Sequence, residues 1–416
     1  MERRRILCAV SGGIAAYKTP ELVRGLVRSG FDVRCAITAS AARFVAPLAL
    51  ETVSGHRVRA DLFDRAEEGE IDHIALADWA ELVIVAPATA NLLARMAIGM
   101  ADDLVTTLLL ATRAPLLVAP AMNVNMWRHP ATRGNVEVLG RRGVRFIGPE
   151  SGALACGWEG EGRMAEPARI VAEVTLALGP RTLAGERVVV TAGGTREPVD
   201  PVRSLTNRSS GKMGFAIAAE AARRGAEVVL VAGPSALPTP PGIRRIDVQT
   251  ALEMRDAVLG EWPSARIVVM AAAVADFRPA DRALQKIKKE DLPEGAAPSI
   301  ALVRNPDILA EISALPRDGR VVVGFAAESH DVLDSARRKL ERKGCDLIVA
   351  NDISREQGGF DSDRNAVAFV WPGGPVEELA LLPKTEVAAQ LWDRIEKRLG
   401  ALPRDAGAEP SAGASR

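Results

Sequence analysis

The chain has 416 residues, too many for one ordinary hydrophobic core, and at roughly 100–200 residues per domain the simplest division is two. Acidic and basic residues balance at 53 each, which excludes a surface built to neutralise nucleic-acid phosphates or anionic lipid. No apolar run nears the ~20 residues that span a bilayer, so neither nucleic acid nor membrane is expected as a partner.

The opening MERRRILCAVSGG has too short an apolar stretch for a signal peptide. Cys8, Cys35, Cys156 and Cys345 lack metal-ligand spacing, and Cys8, Cys35 and Cys345 lie in or beside strand-like runs where a small buried residue is expected. A reducing, cytoplasmic setting is expected.

Short β-rich runs alternate with helical stretches through the first half. RILCAV (5–10) runs into SGGIAAYK, and a helical pattern over ELVRGLVRSG closes at Gly30. FDVRCAIT (31–38), AELVIVAPATA (80–90) and APLLVAPAMN (114–123) follow. This rhythm predicts a parallel sheet covered on both faces, with ligands at the carboxyl ends of its strands. Near residue 180, GPRTLAGE breaks the pattern and RVVVTAGGTREP restarts it. A helical KMGFAIAAEAARRG ending at Gly225, then AEVVLVAGP, ARIVVMAAAVADF (265–277), RVVVGFAAES (320–329) and CDLIVAND (345–352), make a second unit. The fold class is α/β: two Rossmann-like parallel-sheet domains, 1–180 and 181–400, with 401–416 a small, polar, disordered tail.

AVSGGIAAYK places Ser11, Gly12 and Gly13 at a strand-to-helix turn, where backbone N–H groups and the helix dipole suit a phosphate, or where two glycines merely make a tight turn. Thr38 and Ser40 end the next strand, and Thr89 and Asn91 the one after, so small polar groups gather at three strand ends. His73, beside Asp72, is either a surface or core residue or a base whose partner carboxylate sets its tautomer. Cys156 sits in a Gly-rich loop of the kind that closes over sites, although a loop cysteine is also commonly incidental. PAMNVNMW (120–127) ends an apolar strand with Asn123 and Asn125, and an unpartnered buried amide costs about 1–3 kcal/mol. Either backbone or a ligand must answer them.

Taken together, SGGIAAYK, the His73 segment, APATAN, PAMNVNMW and GALACGWEGEGRM resemble the homo-oligomeric flavin-containing cysteine decarboxylases, specifically the phosphopantothenoylcysteine decarboxylases, over roughly residues 5–175. The second half, with TAGGTREPVDPVRSLTNRSSGKMG, AAAVADFRP, KIKK, NPDIL and GFAAES, resembles the bacterial, CTP-using phosphopantothenate–cysteine ligases. The two halves together are similar to the bifunctional proteins of coenzyme A biosynthesis.

That resemblance implies a two-step enzyme. 4'-Phosphopantothenate and L-cysteine are joined at the expense of CTP through an acyl-cytidylate, and the product is decarboxylated with FMN to 4'-phosphopantetheine. A carboxylate on an sp3 carbon needs an electron sink before CO2 departs, and oxidation of the thiol-bearing carbon to a thioaldehyde creates one. Ser11, Gly12, Gly13 and Thr38 would line the FMN phosphate, with Thr89 and Asn91 near flavin or substrate. His73 is implied as the base and Asn123 as the holder of the substrate carboxylate. Met122, Met126 and Trp127 would keep water away, and Cys156 would complete reduction of the intermediate.

In the ligase half, Asn207 would handle the acyl-cytidylate and Lys286 its formation. Ala272, Asp276, Asn305, Pro306, Asp307, Ile308, Phe325, Lys339 and Lys343 would surround the nucleotide. Lys339 and Lys343 are i, i+4 on a helix, so both can face one ligand. Lys286, Lys288 and Lys289 of KIKK form a triphosphate partner, where a bare lysine cluster reads as a solvated face, and Mg2+ is implied alongside. NRSSGKMG opens a helix as a natural phosphate cradle. A homo-oligomer is also implied, a trimer-based flavoprotein core with ligase dimers that could build a dodecamer. A non-catalytic flavin- or nucleotide-binding regulator is the alternative, disfavoured by the intact His73, Asn123 and Cys156. An NAD-type dehydrogenase is disfavoured by the missing G-x-G-x-x-G.

Overall fold

The computed structural model describes residues 3–62, 73–153, 157–288, 299–328, 331–352 and 362–401. It forms two units, Met1–Leu178 and Gly179–Arg416. In the first, β1 (Arg5–Val10), β2 (Asp32–Ile37), β3 (Leu82–Ala88), β4 (Leu116–Pro120) and β5 (Arg145–Phe146) make one parallel sheet, ordered β2-β1-β3-β4-β5. The helices are α1 (Thr19–Arg28), α2 (Pro47–Ser54), α3 (His73–Trp79), α4 (Ala90–Ile98), α5 (Leu104–Ala111), α6 (Val124–Arg128) and α7 (Pro130–Arg141). An antiparallel hairpin, β6 (Glu150–Ala153) and β7 (Glu159–Arg163), then leads to α8 (Pro167–Ala177).

Strand β1 is apolar without alternation because helices cover both faces of the sheet, and Ile6 through Val10 are all buried. Helix α1 starts with Pro20 in its first turn, buries Leu22, Val23 and Leu26 on one face, and stops before Gly30, which takes φ +90. Cys8 and Cys35 are registered neighbours on β1 and β2, and both are buried free thiols. In this strand order the direction of winding reverses between β1 and β3, which opens a crevice at their carboxyl ends.

The second unit centres on β8 (Arg187–Ala192), followed by two short strands, β9 (Arg196–Pro198) and β10 (Ser204–Thr206), that pair with each other. Next come α9 (Lys212–Arg223), β11 (Glu227–Ala232), β12 (Ile243–Asp247), α10 (Ala251–Glu261) and β13 (Ile267–Met270). Strands β14 (Phe277–Pro279) and β15 (Leu302–Arg304) form a small antiparallel pair before α11 (Ile308–Ser313). After them run β16 (Val321–Glu328), α12 (Val332–Lys343) and β17 (Leu347–Asp352). The unit ends with β18 (Arg364–Asn365), β19 (Val367–Val370), β20 (Val376–Glu378), β21 (Leu382–Pro383) and α13 (Lys384–Gly400).

The main sheet runs β12-β11-β8-β13-β16-β17-β19-β20. Its first six strands are parallel, and their winding reverses between β8 and β13. Strands β19 and β20 add an antiparallel edge that the sequence reading lacked, and that reading assigned no strands to the short pairs β9–β10 and β14–β15. Helix α13 buries Val387, Ala388, Leu391, Trp392 and Ile395 as one stripe, and Trp392 Nε1 donates to Ile217 O of α9 at 2.9 Å. Among the described residues no helix is long and apolar enough to cross a membrane.

Candidate active sites

At the β1/β3 crevice the loop after β1 meets the loop after β3. Ser11 Oγ donates to Pro87 O at 2.8 Å and accepts from Thr89 N at 3.1 Å, while Thr19 Oγ1 donates to Ala86 O at 3.0 Å. Ser11 is 2% exposed, so its hydroxyl is a clamp between strand ends rather than part of an open surface. Thr89 caps α4, accepting from Leu92 N. Behind this loop Thr38 Oγ1 and Ser40 Oγ lie 3.0 Å apart, and a Cβ on Gly12 would come within 2.4 Å of Ser40 Oγ. Glycine is required there because the two turns touch.

A cavity of about 400 Å³ opens beside these loops, lined by Gly13, Lys18, Thr89, Met122, Asn123 and Met126 among others. Asn123 caps the short α6, its Oδ1 accepting from Asn125 N at 2.8 Å. Met122 N donates to Gly162 O at 2.9 Å, which pins the β6–β7 hairpin against the cavity wall. A Cβ on Gly162 would lie 2.2 Å from Met122 O, so the two backbones are as close as glycine permits. Lys18 is 8% exposed and bonds Glu166 at 2.9 Å. That ammonium holds the Glu166 carboxyl below its usual range against the opposing effect of burial, and Arg163 assists.

Of the residues the sequence selects, Gly13, Thr89 and Asn123 come together in the cavity wall, with Ser11, Gly12 and Thr38 in the layer beneath. Asn91 is exposed on the first turn of α4 and outside that lining. The backbone of His73 opens α3, but its side chain and Cys156 lie outside the described residues. Lys18 and Arg163 were missed. Lys18 stood at the end of a quoted motif, and a lysine directly after an apolar turn was the available signal.

In the second unit a cavity of about 960 Å³ lies over the strand ends of β8, β13, β16 and β17. Buried Thr191 and Thr195 shape its floor, their hydroxyls accepting from Ala272 N at 3.1 Å and Ala275 N at 3.0 Å. Asn207 Nδ2 donates to Val274 O at 2.9 Å, and a Cβ on Gly194 would come within 2.7 Å of Asn207 O. Helix α9 begins after Gly211 at φ +76 with no side-chain cap, so its first N–H groups face the cavity edge with Ser209 and Ser210.

Asn207, Ala272, Asp276, Phe325 and Lys339 line this cavity, and Lys339 Nζ donates to Phe325 O at 2.8 Å. Lys343, expected beside Lys339, instead bonds Asp307 and sits outside the lining, and burial pushes its ammonium pKa down. Asn305 braces the rim, Nδ2 donating to Ala275 O at 2.8 Å and Oδ1 accepting from Arg278 at 3.1 Å. Asp307 caps α11, Pro306 precedes it, and Ile308 is buried in the core; none of the three lines the cavity. Lys286 is exposed and also outside the lining, and Lys289 lies outside the described residues.

Sequence reasoning missed Arg338, Arg342, Asn365 and Lys384, all of which line the cavity. The basic run RRKLERK signalled the first two, because Ser335, Arg338, Lys339 and Arg342 form one helical stripe. Nothing local signalled Asn365 or Lys384, which the fold brings in from beyond β17.

Comparison with known proteins follows the same division. Residues 1–179 match the family described as Flavoprotein, and residues 183–399 match the DNA/pantothenate metabolism flavoprotein C-terminal domain. The chain is 51% identical over 389 residues to the coenzyme A biosynthesis bifunctional protein CoaBC of Escherichia coli (strain K12), covering 93% of this chain and 95% of that one. It is 44% identical over 399 residues to the protein of the same description from Bacillus subtilis (strain 168), covering 95% and 97%. A crystal structure of the C-terminal domain of a coenzyme A biosynthesis bifunctional protein CoaBC aligns at 39% identity and a TM-score of 0.45, covering 53% of this chain and 99% of that one. The chain therefore belongs to the family of coenzyme A biosynthesis bifunctional proteins, with an amino-terminal flavoprotein domain and a carboxy-terminal DNA/pantothenate metabolism flavoprotein domain.

Proposed function

We propose that this chain performs two consecutive steps of coenzyme A biosynthesis, with 4'-phosphopantothenate, L-cysteine and CTP as substrates. It is a bifunctional enzyme, a ligase and a decarboxylase, and FMN is the flavin of its first unit. The observation that carries the reading is the end-to-end likeness to the Escherichia coli protein, 51% over 389 residues. The chemistry of the two cavities supports it.

The first cavity fits a flavin: its wall is largely carbon, from Ile14, Ala15, Met122, Met126 and Met164, and Gly13 allows close approach of a ring to backbone. When bound, FMN supplies a two-electron sink for the carbon that bears the thiol. The residues do the rest. Asn123, in the cavity wall, holds the substrate carboxylate, and the α6 cap that its Oδ1 makes with Asn125 N fixes where the side chain stands. Met122 and buried Trp127 limit water around that carboxylate before CO2 leaves. His73 takes the thiol proton, and Cys156, which follows β6 in the sequence, completes reduction of the intermediate by giving a proton. Ile14, Tyr17 and Met126 are 59%, 63% and 49% exposed at the cavity mouth, which supports completion of the site by a second copy in a trimer-based homo-oligomer with ligase dimers, up to a dodecamer.

Among the described residues the ligase cavity is lined by Arg208, Lys212, Arg338, Lys339, Arg342 and Lys384 and by one carboxylate, Asp276, while Lys212 also pairs with Asp363. Such a wall suits two phosphorylated substrates. The N-terminus of α9 takes one phosphate, and Lys286 neutralises the triphosphate during acyl-cytidylate formation. Asn207 commits its amide nitrogen to Val274 O, so an attacking cysteine amine would meet its carbonyl oxygen. Mg2+ arrives with the triphosphate, whose phosphate oxygens are the ligands that such a hard cation prefers. The free buried thiols Cys8, Cys35 and Cys345 support a cytoplasmic setting.

Purified protein is expected to be yellow, to release pyrophosphate from CTP only with both co-substrates present, and then to release CO2. Colourless protein that FMN cannot reconstitute removes the decarboxylase reading. Equal use of ATP removes the nucleotide assignment.

A further inference from the structure

Asp200, in the loop after β9, is an acid sealed from water: its side chain has 0% exposure. Its Oδ1 accepts from Val202 N and Arg203 N, both at 2.7 Å, and its Oδ2 accepts from Ile287 N at 3.3 Å, across 87 positions of sequence. The Arg203 guanidinium stands 3.6 Å away and is 53% exposed. Burial alone would raise this carboxyl, yet the three N–H donors, helped by Arg203, hold it below its ordinary value.

A buried carboxylate is costly unless its charge is met by donors. The turn 200–203 itself does not require one, since a neutral Asn or Ser closes such turns. The second oxygen is what a neutral residue could not supply, and its partner is the peptide N–H between Lys286 and Lys288. Ala283 N also donates to Val199 O at 3.0 Å. Residues 199 and 200 thus grip the backbone on both sides of Lys286, whose own side chain is exposed.

We infer that Asp200 is the positioning residue for Lys286: its Oδ2 fixes the peptide that follows the lysine, so that the ammonium reaches the nucleotide phosphates from one direction. A long, exposed lysine on an untethered segment would spread its charge over many positions, and misplacement by about 1 Å costs up to ~100-fold in rate. The inference rests on the reading that Lys286 serves nucleotide activation.

The test uses the full chain and follows pyrophosphate release from CTP with both co-substrates. Lys286→Met tests the underlying reading. Asp200→Asn keeps the shape and one acceptor but can turn an N–H toward the Ile287 N–H. Ile287→Pro removes that donor and leaves the Asp200 turn intact, at the cost of also restricting the backbone at 286 and 287. Lys286→Met is expected to lose about 100-fold in kcat. Each of the other two should lose about tenfold in kcat with the nucleotide KM moved less than about threefold. Either change added to Lys286→Met should cause no further loss. A fully active Lys286→Met overturns the assignment of Lys286. An impaired Lys286→Met combined with wild-type kcat in Asp200→Asn overturns the inference, and so does a loss in Asp200→Asn that adds in full to that of Lys286→Met, as a general loosening of the unit would.

Discussion

The two units share an architecture and differ in what they place at its open end. Both have parallel strands whose winding reverses beside the first strand of the unit, and in both the cavity sits at the carboxyl ends there. The first wall takes much of its surface from methionine, alanine and isoleucine and holds two cations, Lys18 and Arg163, both matched by Glu166. Among the described residues the second wall has six cations and one carboxylate, and one of the six, Lys212, is paired with Asp363 outside that lining. The same winding thus prepares an apolar slot for a flat ring in one case and a basin for polyanions in the other. Topology decides where a ligand binds, and the loops decide which.

If each unit carries its own core and its own chemistry, damage to one should spare the other. The largest effect is expected from Trp392→Ala, which empties the seam between α13 and α9 and removes the indole donation to Ile217 O. Loss of about 3–5 kcal/mol from the second unit should appear in a denaturant titration that follows ligase activity, with flavin absorbance unmoved. Parallel loss of flavin would break the comparison.

Gly162→Ala sharpens the other side. A Cβ 2.2 Å from Met122 O forces the β6–β7 hairpin off the cavity wall, so CO2 release should fall by about 100-fold while pyrophosphate release stays at its wild-type rate. Equal loss of both would refute the separation.

The smallest effect concerns Cys345, whose thiol burial pushes up to about 11 from the ordinary thiol value near 9. Above pH 9 the unfolded chain loses this proton before the folded one does, so the folded state binds more protons and stability falls as pH rises through that window. The loss attributable to the thiol is about 2 kcal/mol near pH ~10.5, read as the difference between the wild type and Cys345→Ala in the pH dependence of unfolding. Identical slopes would show that the thiol does not titrate late.

Much of the fold was legible in the sequence because a doubly covered parallel strand must be apolar along its whole length. RILCAV became β1 residue for residue, and RVVVTA became β8. The short pairs β9–β10 and β14–β15 were not legible, since three-residue strands carry too little alternation to separate from loop. In the sites, Asn123 and Asn207 could be picked because each stands in a distinctive motif. Lys384 could not, because its place in the wall depends on α13 starting beside β18.

The sequence by itself determined the two α/β units, the glycine turns at their strand ends and the chemical types gathered there, because periodicity and turn chemistry are local. Only the tertiary structure decided which of those groups face a ligand and which brace others. Ser11, Asn305 and Lys343 spend their polar atoms on neighbours, whereas Arg338 and Arg342 line the basin. A side chain's free valence for a ligand depends on what distant segments have already claimed, and that is settled only when the chain is folded.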